Sequence, residues 1–193
     1  MMNIYLVRHG ETVYNLQRII QGWCDSPLTE EGIKQARKLK EYLKDYEFKA
    51  IFTSSLNRAA DTARILNEDR NIHFEICDEL KVMHFGSLEK TPGNDEFLNQ
   101  FYEGYKKYGG ENSEEAGKRI TDFVLSKYEE YKDDTILIFS HGWSIRSFLR
   151  LIDKKRLDDF FLSGGWCANC SLSLVKYDGK DFEIIDVFKD VIA

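Results

Sequence analysis

An α/β fold with a mostly parallel sheet, covered by helices on both faces, is predicted by two observations. Short apolar runs ("IYLV", "AIFTS", "TILIFS") alternate with longer stretches whose apolar residues recur at helical spacing. The runs are continuous rather than alternating, as expected for strands buried on both sides.

The elements follow in order. Ile4 to Val7 reads as the first strand. From Thr29 to about Lys44, Ile33, Ala36, Leu39 and Leu43 fall on one stripe with charges elsewhere, which predicts an amphipathic helix. "KAIFTSS" is a second short buried strand, "LNRAADTARIL" a helix behind it, and "IHFEIC" an edge strand. Between Glu114 and Tyr131, Ala116, Ile120, Phe123, Val124, Tyr128 and Tyr131 repeat at helical spacing. Asn112, three residues before Glu115, is placed to cap that helix. "TILIFS" is a third buried strand, followed by the helix "WSIRSFLRLI". The tail adds two strands, "SLSLVKY" and "FEIIDVF", around the turn "DGKD". No repeat, linker or low-complexity tract interrupts the pattern, and 193 residues with 42% hydrophobic content suit one domain spanning residues 1–193.

Charge and cysteine usage narrow the function classes. With 33 acidic against 27 basic side chains and a net charge of −6, the chain is not expected to bind nucleic acid or an anionic membrane through a broad field. An anionic ligand must be held by local charges. "MMNIYLVRHG" has no basic stretch followed by a long apolar core, and no run of 18 apolar residues occurs, so a soluble cytoplasmic protein is expected. The four cysteines, Cys24, Cys77, Cys167 and Cys170, are too few for a disulfide framework. "WCANC" imitates a redox pair, but the residues after it alternate like a strand, and such a thiol needs a helix N-terminus. No second ligand pair stands at zinc-site spacing.

Three strands end alike. "IYLV" runs into Arg8 and His9, "AIFTSS" leads to Arg58, and "TILIFS" ends in His141 and Gly142. In a parallel sheet these groups gather at one edge, where open α/β sheets bind ligands. Two arginines and two histidines without carboxylate or cysteine companions suit an anion, most naturally a phosphoryl group. Arginine supplies paired donors to phosphate oxygens, and histidine a nucleophile or donor near neutral pH. Neither a nucleotide-binding Gly-x-x-x-x-Gly-Lys-Ser/Thr loop nor a carboxylate cluster for magnesium is present in the sequence.

At these residues the chain resembles the histidine phosphatase superfamily, in its phosphoglycerate mutase-like branch. The resemblance rests on "LVRHGET" with Asn15, "QGWCDSPLTEEG", "TSSLNRAADTA", "GGENSEEAGKR", "FSHGWSIR" and "NCSLSLV", from Tyr5 to about Val175. It implies a three-layer α/β/α sandwich and a phosphohistidine mechanism that needs no metal and no cofactor. His9 would attack phosphorus, and Arg8, Arg58 and His141 would surround the transferred group. Asn15, Gln21, Gly22 and Gly142 fall where substrate or phosphate is contacted, or where polar loop residues cap backbone groups.

One position departs from the family pattern. The glutamate that usually serves as general acid is replaced by Val82 in "LKVMHFGSLEK", and the later Glu-Gly becomes Glu89 and Lys90. His84, two residues on and on the same face of an extended segment, is the nearest substitute acid, beside water, a substrate group or Glu89. The lid insert at about 90–112 is short and lacks arginine, with Lys106 and Lys107 the only basic residues of its stretch 91–112, whereas the family's mutases carry a longer, arginine-bearing insert. Its aromatics, Phe97, Phe101, Tyr102, Tyr105 and Tyr108, would line a pocket or pack the lid. The expectation is thus a phosphatase acting on a small phosphorylated metabolite, as monomer or homodimer. A phosphoglycerate mutase-type phosphotransferase and a phosphoryl-ligand binding protein with weakened catalysis stand as alternatives.

Overall fold

The computed structural model describes residues 1–94, 97 and 103–193. Strands β1 (Met2–Arg8), β2 (Ala50–Ser54), β3 (His73–Cys77), β4 (Thr135–Ser140), β5 (Leu172–Tyr177) and β6 (Phe182–Lys189) form one six-stranded sheet in the order β3-β2-β4-β1-β5-β6. The first four strands in that order run parallel. β5 pairs antiparallel with β1, and β6 antiparallel with β5. The expected edge strand "IHFEIC" is β3, at one end of the sheet.

Helices α1 (Val13–Leu16), α2 (Glu30–Tyr42), α3 (Asn57–Asn67), α4 (Ser113–Tyr131), α5 (Gly142–Ile152) and α6 (Lys154–Leu162) complete the described fold. Side chains alternate across each strand, so one apolar run serves two cores. Val7, Ile51, Leu137 and Phe139 pack with Leu39, Leu43, Ala59, Ala63 and Leu66 of α2 and α3. Ile4, Leu6, Phe52, Ile136 and Ile138 face Ile120, Phe123, Ile145, Phe148 and Leu149 of α4 and α5. The three-layer arrangement follows from that division. Within the described residues no helix is long and apolar enough to cross a membrane.

The helix ends agree with the sequence signals. Asn112 caps α4 in a reciprocal box: its side chain accepts from Glu115 N at 2.8 Å, and the Glu115 carboxylate accepts from Asn112 N at 3.0 Å. Thr29 caps α2 by accepting from Gly32 N at 2.9 Å. Two elements went unread in the sequence, the single turn α1 and the helix α6. The latter is capped by Asp153, which accepts from Arg156 N at 2.9 Å, and its apolar positions Leu157, Phe160 and Phe161 keep helical spacing. Phe101 and Tyr102 lie outside the described residues.

The register of the central strands positions the site. Arg8 on β1 pairs with Ser140 on β4, so His9 and His141 leave adjacent strand ends at the same level, with His9 N donating to Ser140 O at 3.2 Å. The loop after β1 is pinned against α2 by a close backbone approach. A Cβ built on Gly32 would lie 2.1 Å from Glu11 O, and one on Gly10 would lie 2.6 Å from Gly32 O. Alanine in a helix is normally preferred over glycine by about 1 kcal/mol. Here the obstructing atoms are backbone. Gly32→Ala should therefore lower stability, by about 1–3 kcal/mol in urea unfolding as overpacking does; a more stable variant would contradict the close approach.

Candidate active site

His9 projects from the end of β1 and is 4% exposed. Its Nδ1 lies 2.8 Å from Gly10 O, and a carbonyl only accepts, so the ring proton sits on Nδ1 and Nε2 is left with its lone pair. Burial, then the positive charges of Arg58 and Arg8, hold its pKa well below the usual histidine range, which keeps it neutral. A neutral imidazole with a free Nε2 is a nucleophile. The His9 backbone is fixed as well: Asn169 Nδ2 donates to His9 O at 3.0 Å, Cys170 N donates to Arg8 O at 3.0 Å, and Gly10 N donates to Thr62 Oγ1 at 3.0 Å.

His141, 1% exposed, stands beside it at the end of β4, with ring centroids 5.1 Å apart. Burial and the neighbouring Arg58, His9, Arg119 and Arg8 depress its pKa in the same way.

Arg58 enters from the first turn of α3 and is also 1% exposed. Burial lowers its pKa, partly offset by Asp25, yet guanidinium starts so high that it stays charged. Nη1 donates to Cys24 O and to Asp25 Oδ1, each at 3.0 Å, and Nη2 donates to Gly22 O at 2.9 Å. Three of five N–H donors are spent on the loop, while buried Nε has no hydrogen-bond partner among the described residues. The Nε–H and one Nη2–H remain for a ligand. Arg8, at the other side, donates from Nη1 to Cys167 O.

These groups border one cavity of about 720 Å³, within the range of small-molecule sites. Arg8, His9, Asn15, Gln21, Arg58, His141 and Gly142 all line it. Asn15 and Gln21 are both anchored in the loop after β1. Asn15 Oδ1 accepts from Thr12 N at 3.2 Å, and Gln21 Nε2 donates to Thr12 Oγ1 at 2.7 Å, so each is held by the loop while facing the cavity.

Gly22 and His84 are not brought to the cavity wall. Gly22 serves from behind, through its carbonyl on Arg58, and a Cβ there would lie 1.8 Å from Glu89 Oε1. Glu89 accepts from Trp23 N and Cys24 N at 3.0 Å and from Phe85 N at 3.2 Å, which clamps the loop that carries Arg58's acceptors. His84 packs its ring against Trp23 at 4.7 Å, with Nδ1 3.3 Å from Gly109 O and Nε2 3.4 Å from Glu89. Val82, 2% exposed, does line the cavity.

Sequence reasoning missed Asp25, which holds Arg58, and Thr62 and Asn169, which hold the backbone at Gly10 and His9. Asn169 lies between the two cysteines of "WCANC". Burial pushes the Cys170 thiol up to about 12 and raises Cys167 too, which disfavours the thiolate at both. Missed also were Arg146, Phe161 and Trp166 on the cavity wall, with the Arg146 guanidinium 4.0 Å from the Phe161 ring centroid. Recognising α6 would have placed Phe161.

Comparison with known proteins agrees with this geometry. The sequence matches the histidine phosphatase superfamily (branch 1) over residues 4–190. It is 32% identical to an uncharacterized phosphatase, PhoE, of Bacillus subtilis, covering 95% of each chain. It is also 32% identical to a probable phosphoglycerate mutase, GpmB, of Yersinia pestis, covering 92% of this chain and 86% of that one. The solved structure of YhfR from Bacillus stearothermophilus superposes with a TM-score of 0.87 at 29% identity over 100% of both chains. With its paired histidines at the ends of β1 and β4 and a match spanning nearly its whole length, the chain belongs to the histidine phosphatase superfamily.

Proposed function

We propose that this protein is a phosphatase that hydrolyses a small phosphorylated metabolite through a phosphohistidine on His9. The observation that carries the reading is the His9 tautomer. Nδ1 is held by the Gly10 carbonyl, and Nε2 is left as a lone pair in a cavity that Arg8, Arg58 and His141 also line. In the first step Nε2 bonds to phosphorus as the ester P–O bond breaks, and the alkoxide or aryloxide leaves with the bonding electrons and takes a proton from solvent water to become the alcohol. In the second, water attacks the same phosphorus, the N–P bond breaks, and inorganic phosphate is released with His9 neutral again. Both arginines supply fixed positive charge to the equatorial oxygens, the main source of stabilisation in phosphoryl transfer. Hydrolysis is favoured over transfer between substrate oxygens because residues 91–112 contain no arginine to grip a substrate carboxylate.

Rapid quenching with a labelled aryl phosphate should trap an adduct that is labile in acid, stable in alkali and absent from His9→Ala. An adduct that survives in that variant would remove His9 from the role.

Val82 bears on the leaving group. Its carbonyl accepts from Trp23 Nε1 at 2.9 Å and from Arg119 Nη2 at 3.3 Å, so the backbone is tied down while the side chain presents methyl groups to the cavity. A methyl group cannot protonate an alkoxide, and general acid catalysis is worth about 100- to 10,000-fold. The wild type should therefore favour aryl over alkyl esters. Val82→Glu should raise kcat/KM for alkyl esters at least about tenfold more than for aryl esters, because burial would keep the new carboxyl protonated near neutral pH. Equal effects on both ester classes would refute this account.

Keeping two histidines neutral also ties stability to pH. Their pKa values are depressed in the folded state, so the unfolded chain binds more protons once pH drops below about 6.5. The stability they contribute is complete above that pH and is lost as pH falls toward the folded-state values, by up to about 1.4 kcal/mol per pH unit for each ring. Urea midpoints between pH 7.5 and 5.5 should fall, and fall less in a His9→Gln, His141→Gln double variant. Identical pH dependence in the two proteins would contradict the assignment.

A further inference from the structure

Ser54 is the last residue of β2 and is fully buried, at the bend that leads into α3. Its Oγ has two polar neighbours: Leu56 N at 3.2 Å and His141 Nε2 at 2.8 Å. The Leu56 N–H can only donate, so it takes one of the two lone-pair sites on Oγ. The hydroxyl then has a single hydrogen to place, and His141 Nε2 is the acceptor within reach among the described residues. If Nε2 carried a proton instead, the hydroxyl hydrogen would be left buried without an acceptor, which is costly.

The other nitrogen of His141 completes the pattern. Nδ1 is buried and has no partner among the described residues, on a ring that lines the same cavity as His9. A bare Nδ1 would aim a lone pair at phosphoryl oxygens and repel them. A protonated Nδ1 would be a preorganised donor, the arrangement that stabilises developing negative charge. Burial and then the neighbouring Arg58, His9, Arg119 and Arg8 depress this ring's pKa, which disfavours an imidazolium before an anion arrives.

We infer that Ser54 is a positioning residue that fixes His141 in its Nδ1–H tautomer, so that His141 serves as a hydrogen-bond donor to the phosphoryl group and not as a base. The inference deepens the phosphatase reading and rests on it for the identity of the anion. The tautomer itself does not depend on turnover, which separates the two tests.

Nitrogen-15 NMR of histidine-labelled full-length protein at pH 7.5 reads the tautomer directly, with the His141 signals identified by their loss in His141→Asn. Wild type should show a protonated Nδ1 and a bare Nε2, and adding orthovanadate should shift the Nδ1 signal while Nε2 stays bare. A protonated Nε2 in the wild type overturns the inference, whether or not any variant folds. In kinetics, Ser54→Ala should lower kcat about 10- to 100-fold, the usual effect of losing such a supporting partner, with KM changed far less. Ser54→Thr, which keeps the hydroxyl, should recover most of kcat. An Ser54→Ala protein that retains both the Nδ1–H tautomer and full kcat overturns the positioning role. An Nδ1–H tautomer in a protein that turns over no ester and forms no His9 adduct overturns the donor role and the phosphatase reading together.

Discussion

Four groups able to bear positive charge share one buried edge of the sheet, and their mutual repulsion is the constraint around which the site is built. Neither histidine is charged, because burial and the adjacent guanidinium groups make a proton there unfavourable. Arg58 cannot shed its charge, so the protein surrounds it instead: Gly22 O, Cys24 O and the Asp25 carboxylate take up three donors. A buried charge left without such partners would cost several kcal/mol. Much of the surrounding loop exists to supply them. Glu89, with both carboxylate oxygens on backbone N–H groups of that loop and its neighbour, holds the acceptors at the right distance.

The same requirement explains the backbone packing behind His9. A nucleophile has to meet phosphorus along one line, and small misplacement is expensive in rate. β1 sits between β4 and β5 in the sheet, so its carboxyl end is tied on one side by Ser140 O and on the other by Cys170 N. Cys170 itself adopts a left-handed backbone, φ 56, at the close of the turn that also brings Asn169 to His9 O. A non-glycine residue in that region costs on the order of 1–2 kcal/mol. The sequence tolerates the strain where it fixes the reacting strand.

Much of this was legible beforehand. Continuous apolar runs gave the strands of the parallel core, helical spacing gave α2 through α5, and Arg8, His9 and His141 at strand ends, with Arg58 shortly after β2, gave the cluster around the cavity; register brings the first three together, and the start of α3 brings Arg58. What escaped depended on chain segments distant in sequence meeting in space. Asp25 looks like an ordinary loop acid until Arg58 arrives from 33 residues away, and Ser54 looks like a strand-end serine until β4 delivers His141 from 87 residues away. His84 illustrates the converse. Alternation along an extended segment put it on the same face as Val82, but residues 81–85 form no strand, and the ring packs against Trp23 instead. Composition and period specify elements; they carry no information on which loop carbonyl will meet which guanidinium.

The buried cation cluster sits inside a molecule whose net charge is −6. At physiological ionic strength the Debye length is about 8 Å, so a phosphate ester near the cavity responds mainly to the charges that line it, among them Arg8, Arg18, Arg58 and Arg146, and only weakly to the charge of the molecule as a whole. Capture is therefore a short-range event, governed by the charges that line the cavity and not by the net charge of the molecule. Selection among anions of like charge then falls to shape and contact within the cavity.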